Sequence, residues 1–225
     1  MAKPRVPRIR LSPGERQRIE TLFERFEAAA AHPKTELEYK TPFTLLVAVV
    51  LSAQATDKSV NKATERLFRD APTPAKMAAL GAEGLESYIR TIGLYRTKAK
   101  NVVALSNILL SQYGGRVPLQ REALQALPGV GRKTASVVLN ELGVEPAIAV
   151  DTHVFRVAHR LKLAMGSTPE KVEQQLMQVI PEPYLTRAHH WLILHGRYVC
   201  VARKPKCIQC LVADLCPSRS LFMGA

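Results

Sequence analysis

Residues 127–135, Leu-Pro-Gly-Val-Gly-Arg-Lys-Thr-Ala, leave this chain few ways to fold. Leu119 to Leu127 carries helical spacing, and Pro128 stops it, because the residue before a proline is pushed out of the α region. Gly129 and Gly131 allow positive φ and close backbone approach. Apolar spacing resumes through Ala135, Val138, Leu139 and Leu142, with Gly143 as the C-terminal stop. The segment reads as a tight turn between two helices. At a helix start preceded by Gly-Val-Gly, amide N–H groups point outward at the positive end of the dipole, which suits a phosphate-sized anion. Arg132 and Lys133 stand in that first turn. The dipole disfavours a cation there, so Lys133 either reaches for a phosphate or serves as a nucleophilic amine. A glycine-rich helical corner without chemistry is the plain alternative.

Eighteen residues beyond Lys133 stands Val150-Asp151-Thr152-His153. Ala147 to Val150 is an apolar approach, and Val154, Phe155, Val157, Ala158 and Leu161 follow with helical spacing. Asp151 reads as an N-cap, with a catalytic carboxylate as the sharper alternative.

The four cysteines lie within the last 26 residues as Cys200, Cys207, Cys210 and Cys216. A disulfide framework is disfavoured, since sequential bridges at these spacings are cramped and no secretory signal precedes the chain. Structural zinc usually takes two short-spaced pairs, and only one C-x2-C is present. Four thiolates within 17 residues, with Pro217 after the last, suit a [4Fe–4S] cube better. On spacing alone both remain open.

Charge points to a polyanion. The chain of 225 residues carries a net +13, of which residues 1–20 contribute +4 (six basic, two acidic) and residues 196–225 another +4 (five basic, one acidic). Arg203, Lys204 and Lys206 project from the cysteine region as an electrostatic footprint for a phosphate backbone. The longest apolar run, Phe43 to Leu51, is too short to span a bilayer. Basic Met1 to Arg10 has no apolar run behind it, so it is not a secretory signal and a cytoplasmic location is expected.

The patterning is helical almost throughout. Ser12-Pro13-Gly14-Glu15 is a capping box ahead of an Ile19, Leu22, Phe23, Phe26 stripe. Further helices are predicted at about 42–53, 57–69, 74–80, 83–90, 97–112, 119–127, 131–142, 152–161, 169–180 and 184–199. No useful period-two run and no internal repeat appear, so the expected class is all-α.

The hairpin lysine, the downstream aspartate and the cysteine loop together resemble the helix-hairpin-helix superfamily of DNA glycosylases, in its endonuclease III family. The matching segments are Pro42 to Ala63, Thr91 to Tyr95, Leu127 to Asn140, Ala147 to Arg156 and His189 to Cys216. The resemblance implies a six-helix barrel domain at 35–145. It implies a cluster domain built from residues 1–34 and 146–225, with a DNA-binding cleft between the two. It further implies a bifunctional glycosylase and abasic-site lyase of base-excision repair that removes oxidised pyrimidines from damaged double-stranded DNA. Lys133 would form the Schiff base and Asp151 would stabilise the oxocarbenium-like sugar. The four cysteines would hold the [4Fe–4S] cluster. A flipped lesion leaves a gap in the stack, and the family fills it with a glutamine and an apolar wedge. The matching positions are Gln54 and Leu94, whose bland alternatives are a surface glutamine and an inward-packed leucine. Gly129, Gly131, Arg132, Arg203, Lys204 and Lys206 would meet phosphates. His153 would line the active site, whereas His189, His190 and His195 are expected to be structural. A monomer associated with the nucleoid through DNA is expected.

Two other classes compete. A non-catalytic hairpin module would keep the glycines but needs no Lys133–Asp151 pair. A redox carrier would use the cysteines but explains neither the hairpin nor the charge. Within the superfamily, adenine-mismatch glycosylases lack the hairpin lysine and carry a further C-terminal domain. This chain ends nine residues after Cys216.

Overall fold

The computed structural model describes residues 8–222, and residues 1–7 of the expected basic tail lie outside them. The described residues are all-helical, with eleven α-helices and no strand. Backbone contacts group them into two compact units. One is Thr35–Val144, and the other joins the residues up to Lys34 with those from Glu145 on.

In the continuous unit the helices are α2 (Pro42–Leu51), α3 (Asp57–Asp70), α4 (Pro74–Ala79), α5 (Gly81–Ile89), α6 (Tyr95–Tyr113), α7 (Arg121–Gln125) and α8 (Arg132–Glu141). Helix α2 is the axis of its core, with every residue from Phe43 to Leu51 buried. Its valines would favour a strand on propensity alone. A Thr41/Thr44 capping box with Pro42 in the first turn starts a helix instead, and burial on all sides holds it. Around it pack Val60 and Leu67 of α3, Leu85 and Ile89 of α5, and Val102 and Leu105 of α6.

The discontinuous unit contains α1 (Pro13–Ala29), α9 (Thr152–Arg160), α10 (Pro169–Val179) and α11 (Leu185–Tyr198). Helix α1 starts at the predicted capping box, where Ser12 and Glu15 cap one another. Its stripe of Ile19, Leu22, Phe23 and Phe26 is buried against α9, α10 and α11 residues. Phe23 stacks on Tyr184, and Phe26 stacks on Trp191. The Trp191 Nε1–H donates to Ala30 O at 2.8 Å.

Several predicted helices differ at their ends, among them 42–53, which stops at Leu51, and 83–90, which begins at Gly81. The helix expected at 119–127 is only Arg121–Gln125, because Gln120 provides no side-chain cap and the chain tightens early to bring Leu127 inward. The helix expected at 97–112 begins at Tyr95, directly after a left-handed residue.

Candidate active site and cysteine pocket

The hairpin is held from behind and open in front. Leu127 and Val130 are buried in the core of the continuous unit, while Gly129, Gly131, Arg132 and Lys133 are exposed. The turn closes through Leu127 N–H to Leu124 O and Val130 N–H to Leu127 O, at 3.0 and 3.1 Å. Gly129 has φ +78°, and a Cβ there would meet Asn101 at 3.0–3.1 Å and Val50 at 3.3 Å. The dihedral strains any residue with a side chain, and the close approach would crowd Asn101 and Val50. Gly131 differs. Its φ is −84°, and a Cβ there would meet nothing within 4 Å. It is the N-cap of α8, which therefore has no side-chain cap, and Lys133 falls in the first turn. Arg121 Nη1 donates to the buried Ser136 Oγ at 2.6 Å and ties α7 to α8. At the far end of α8, the Tyr39 hydroxyl donates to Glu141 at 2.8 Å. Burial first, and then that carboxylate, push the Tyr39 phenol up to about 12.

Asp151 caps α9. One carboxylate oxygen accepts from His153 N–H at 2.8 Å and Val154 N–H at 2.9 Å. The cap fixes the carboxylate's orientation at the positive end of that helix. His153 is half-buried, with Nδ1 3.2 Å from Arg156 Nη2 and its Cβ against Gly196. Arg156 in turn donates to Cys200 O at 2.9 Å and Gly196 O at 2.7 Å.

Gln54 and Leu94 are both exposed, Leu94 by 60%. Neither is an inward-packed residue. Both occupy the left-handed region, at φ 54° and 59°. Each costs roughly 1–2 kcal/mol in backbone strain. Their turns adjoin, since a Cβ on Gly93 would lie 3.9 Å from Gln54 O. Buried Leu51 and Ile92 anchor the two turns from below.

The four cysteines, half-buried and joined by no disulfide, line one pocket. Among the described residues no three His, Cys, Asp or Glu side chains are spaced to hold a single ion. The sulfurs instead ring the pocket. The loop that carries them is a series of tight turns, including Cys210 N–H to Cys207 O and Cys216 N–H to Ala213 O. Val212 is its one buried apolar anchor. Burial pushes the Cys210 and Cys216 thiols up, and the neighbouring cysteines add to the rise. Four thiolates in so small a space repel one another unless a cationic centre lies among them, which is the donor chemistry of an iron–sulfur cluster. Arg203, Lys204 and Lys206 are exposed on the same loop. Lys204 takes a left-handed φ of 53°, and Lys206 N–H closes the loop onto Val199 O at 3.0 Å.

Spacing did not reveal Arg160, His195, Arg219 and Phe222, which line the same pocket. Expected to be merely structural, His195 lies with Nε2 3.7 Å from Cys210 Sγ. Burial lowers its imidazolium pKa to about 4, so the ring is neutral. No local pattern marks these residues, because α9, α11 and the chain end meet there only in three dimensions.

Comparison with known proteins gives a consistent result. Residues 47–182 match the HhH-GPD superfamily base excision DNA repair protein model, and residues 200–216 match the iron–sulfur binding domain of endonuclease III. Endonuclease III of Rickettsia conorii is 58% identical over 200 residues, covering 89% of this chain and 95% of that protein. Endonuclease III of Escherichia coli (strain K12) is 58% identical over 185 residues, covering 82% and 88%. A solved structure of a trapped endonuclease III–DNA covalent intermediate superposes with a TM-score of 0.86 at 43% identity, covering 96% of this chain and all of that one. A thermostable thymine-DNA glycosylase shares the fold, with a TM-score of 0.78 at 22% identity.

Proposed function

The chain belongs to the HhH-GPD superfamily of base excision DNA repair proteins, in its endonuclease III family, and on that premise we propose that Lys133 and Asp151 carry its chemistry. The protein is a bifunctional DNA glycosylase and abasic-site lyase that binds damaged duplex DNA and carries an iron–sulfur cluster domain at residues 200–216. Among the described residues no helix is long and apolar enough to cross a membrane.

Two side chains share the reaction. The Lys133 amine attacks C1′ of the lesion nucleotide as the N-glycosidic bond breaks, and the base departs with the bonding pair. Asp151 stabilises the positive charge that develops on the sugar and assists the proton transfers. Opening of the sugar ring at C1′–O4′, with a proton delivered to O4′, turns the adduct into a Schiff base, which acidifies the C2′ proton, and its removal expels the 3′ phosphate by β-elimination. The observation that carries this reading is the hairpin itself. Lys133 is exposed in the first turn of α8, beside a Gly131 whose missing side chain nothing in its own unit requires. The bare backbone serves a phosphate arriving from outside, held by Gly129, Gly131 and Arg132.

Gln54 and Leu94 fill the stack when an oxidised pyrimidine is flipped out. Their exposed, strained turns hold both side chains outward before DNA arrives. His153 orients Arg156 and lines the site. Cys200, Cys207, Cys210 and Cys216 ligate the [4Fe–4S] cluster, which cross-links the loop when bound. Arg203, Lys204 and Lys206 meet phosphates and not bases. The division into 1–34 with 146–225 and 35–145, a monomeric state and a cytoplasmic, nucleoid-associated location complete the reading.

Borohydride reduction in the presence of an abasic or thymine-glycol duplex tests it. Wild-type protein should form a covalent complex, and Lys133→Ala should form none and leave the strand intact. Undiminished trapping by Lys133→Ala would remove Lys133 as the nucleophile.

A further inference from the structure

The cysteine pocket has a wall that the cysteines do not supply. Arg160, in the last turn of α9, donates to Cys200 Sγ at 3.4 Å, to Val201 O at 2.8 Å and to Ala202 O at 2.9 Å. Its own carbonyl lies 3.6 Å from Cys216 Sγ, so one residue touches both the first and the last cysteine of the loop. The edge of the guanidinium is occupied by these contacts. Its face is not bare either, because the Phe222 ring lies with its centroid 4.3 Å from Arg160 Cζ. A planar guanidinium can hydrogen-bond along its edge and stack on its face at the same time.

Phe222 reaches this place by a fixed route. Arg219 N–H bonds to Cys216 O at 3.2 Å, and Phe222 N–H bonds to Arg219 O at 3.0 Å, while Ser218 between them is buried. Two consecutive turns thus set the distance from the last cysteine to the ring. Of the two adjacent apolar residues, Leu221 is 77% exposed and turned out, whereas Phe222 is 38% exposed and lines the pocket.

We propose that Arg160 and Phe222 are cluster-retaining residues, the guanidinium clamping the Cys200 sulfur and its loop and the phenyl ring closing the pocket to solvent. This rests on reading the four cysteines as the ligands of a [4Fe–4S] cluster. A cation beside a thiolate stabilises the anionic centre, and an aromatic cover that removes water from the cation strengthens that attraction. The ring also stands between the pocket and dissolved oxygen or a chelator. Solvent access is one of the levers by which a protein sets the behaviour of such a cluster.

The test uses the holoprotein. Wild type, Phe222→Ala, Phe222→Leu and Arg160→Lys are purified, and the visible cluster absorbance is followed in air with EDTA present. Phe222→Ala should bleach several-fold faster than wild type from a freshly purified state of unchanged circular dichroism. Phe222→Leu should bleach at an intermediate rate, since it keeps an apolar cover without the stack. Arg160→Lys should bleach faster too, because a point charge cannot clamp the sulfur and two carbonyls together. Wild-type bleaching by Phe222→Ala would overturn the proposal, as would a lost helical signal in the fresh variant, which would make the ring a folding element. Colourless, iron-free wild type would overturn the cluster reading itself, and this inference with it.

Discussion

The two units are held together by different means. Thr35–Val144 is a continuous segment closed by apolar packing around α2, a helix with no outward face. The other unit joins two stretches of chain far apart in sequence, and it adds directional polar ties between them to the apolar packing of α1. Arg18 reaches the carbonyls of Leu161 and Leu215, across 143 and 197 residues. Arg25 pairs with Asp214 through both carboxylate oxygens, and Ile9 N–H meets Gln178. Its cysteine loop buries almost nothing apolar of its own and depends on Arg160, Val212 and the cluster. A continuous segment can be stabilised by area buried near neighbours in the chain. A discontinuous one must offset a longer loop closure, and directional bonds to specific carbonyls pin its register.

That contrast can be broken at its strongest point first. Leu46→Ala, in the middle of α2, should cost about 2–5 kcal/mol by denaturant unfolding, because α2 has no solvent face toward which the cavity can relax. A loss below about 1 kcal/mol would mean that the core collapses around the gap, and the packing account of this unit would fail.

Asp151 is a smaller probe, in the other unit. Asp151→Ala removes the acceptor of two amide bonds and should lower stability by about 1 kcal/mol, whereas Asp151→Asn should cap nearly as well. If the carboxylate acts on the sugar, Asp151→Asn should also lose glycosylase turnover by orders of magnitude. Near-wild-type turnover in the Asn variant would leave Asp151 a cap only.

Leu94→Ala should cost least in stability, under about 1 kcal/mol, since its side chain contributes to neither core. Its effect belongs to the substrate. Excision of an oxidised pyrimidine from duplex should slow more than cleavage at a preformed abasic site, where nothing stacked must be extruded. Equal slowing on both substrates, with a large stability loss, would return Leu94 to the role of a packing residue.

What could be read from the sequence follows the range of the interactions. The hairpin was legible because Pro128, Gly129 and Gly131 act within a few residues of themselves, and so were the Ser12 and Asp151 caps. Helix α2 was legible despite its valines, because a nine-residue run, apolar but for Thr44, after Thr41-Pro42 leaves a strand no start signal. The left-handed positions themselves, Gln54 and Leu94, are not glycines and gave no local warning; only resemblance singled them out. Arg160, His195 and Phe222 were invisible for another reason. Their meeting at the cysteines depends on three segments that no periodicity relates.

The separated halves of the discontinuous unit also bear on how the chain is born. Helix α1 leaves the ribosome early, with Ile19, Leu22, Phe23 and Phe26 along one face, but its partners in α9 and α11 follow only after Thr35–Val144 has been made. At about 5–20 residues per second that interval is on the order of ten seconds. The continuous unit has its whole sequence before α9 emerges, so the unit begun first is the one finished last. Until then an apolar stripe stands exposed on the nascent chain, and an interruption of synthesis after Val144 would release a folded body still trailing it.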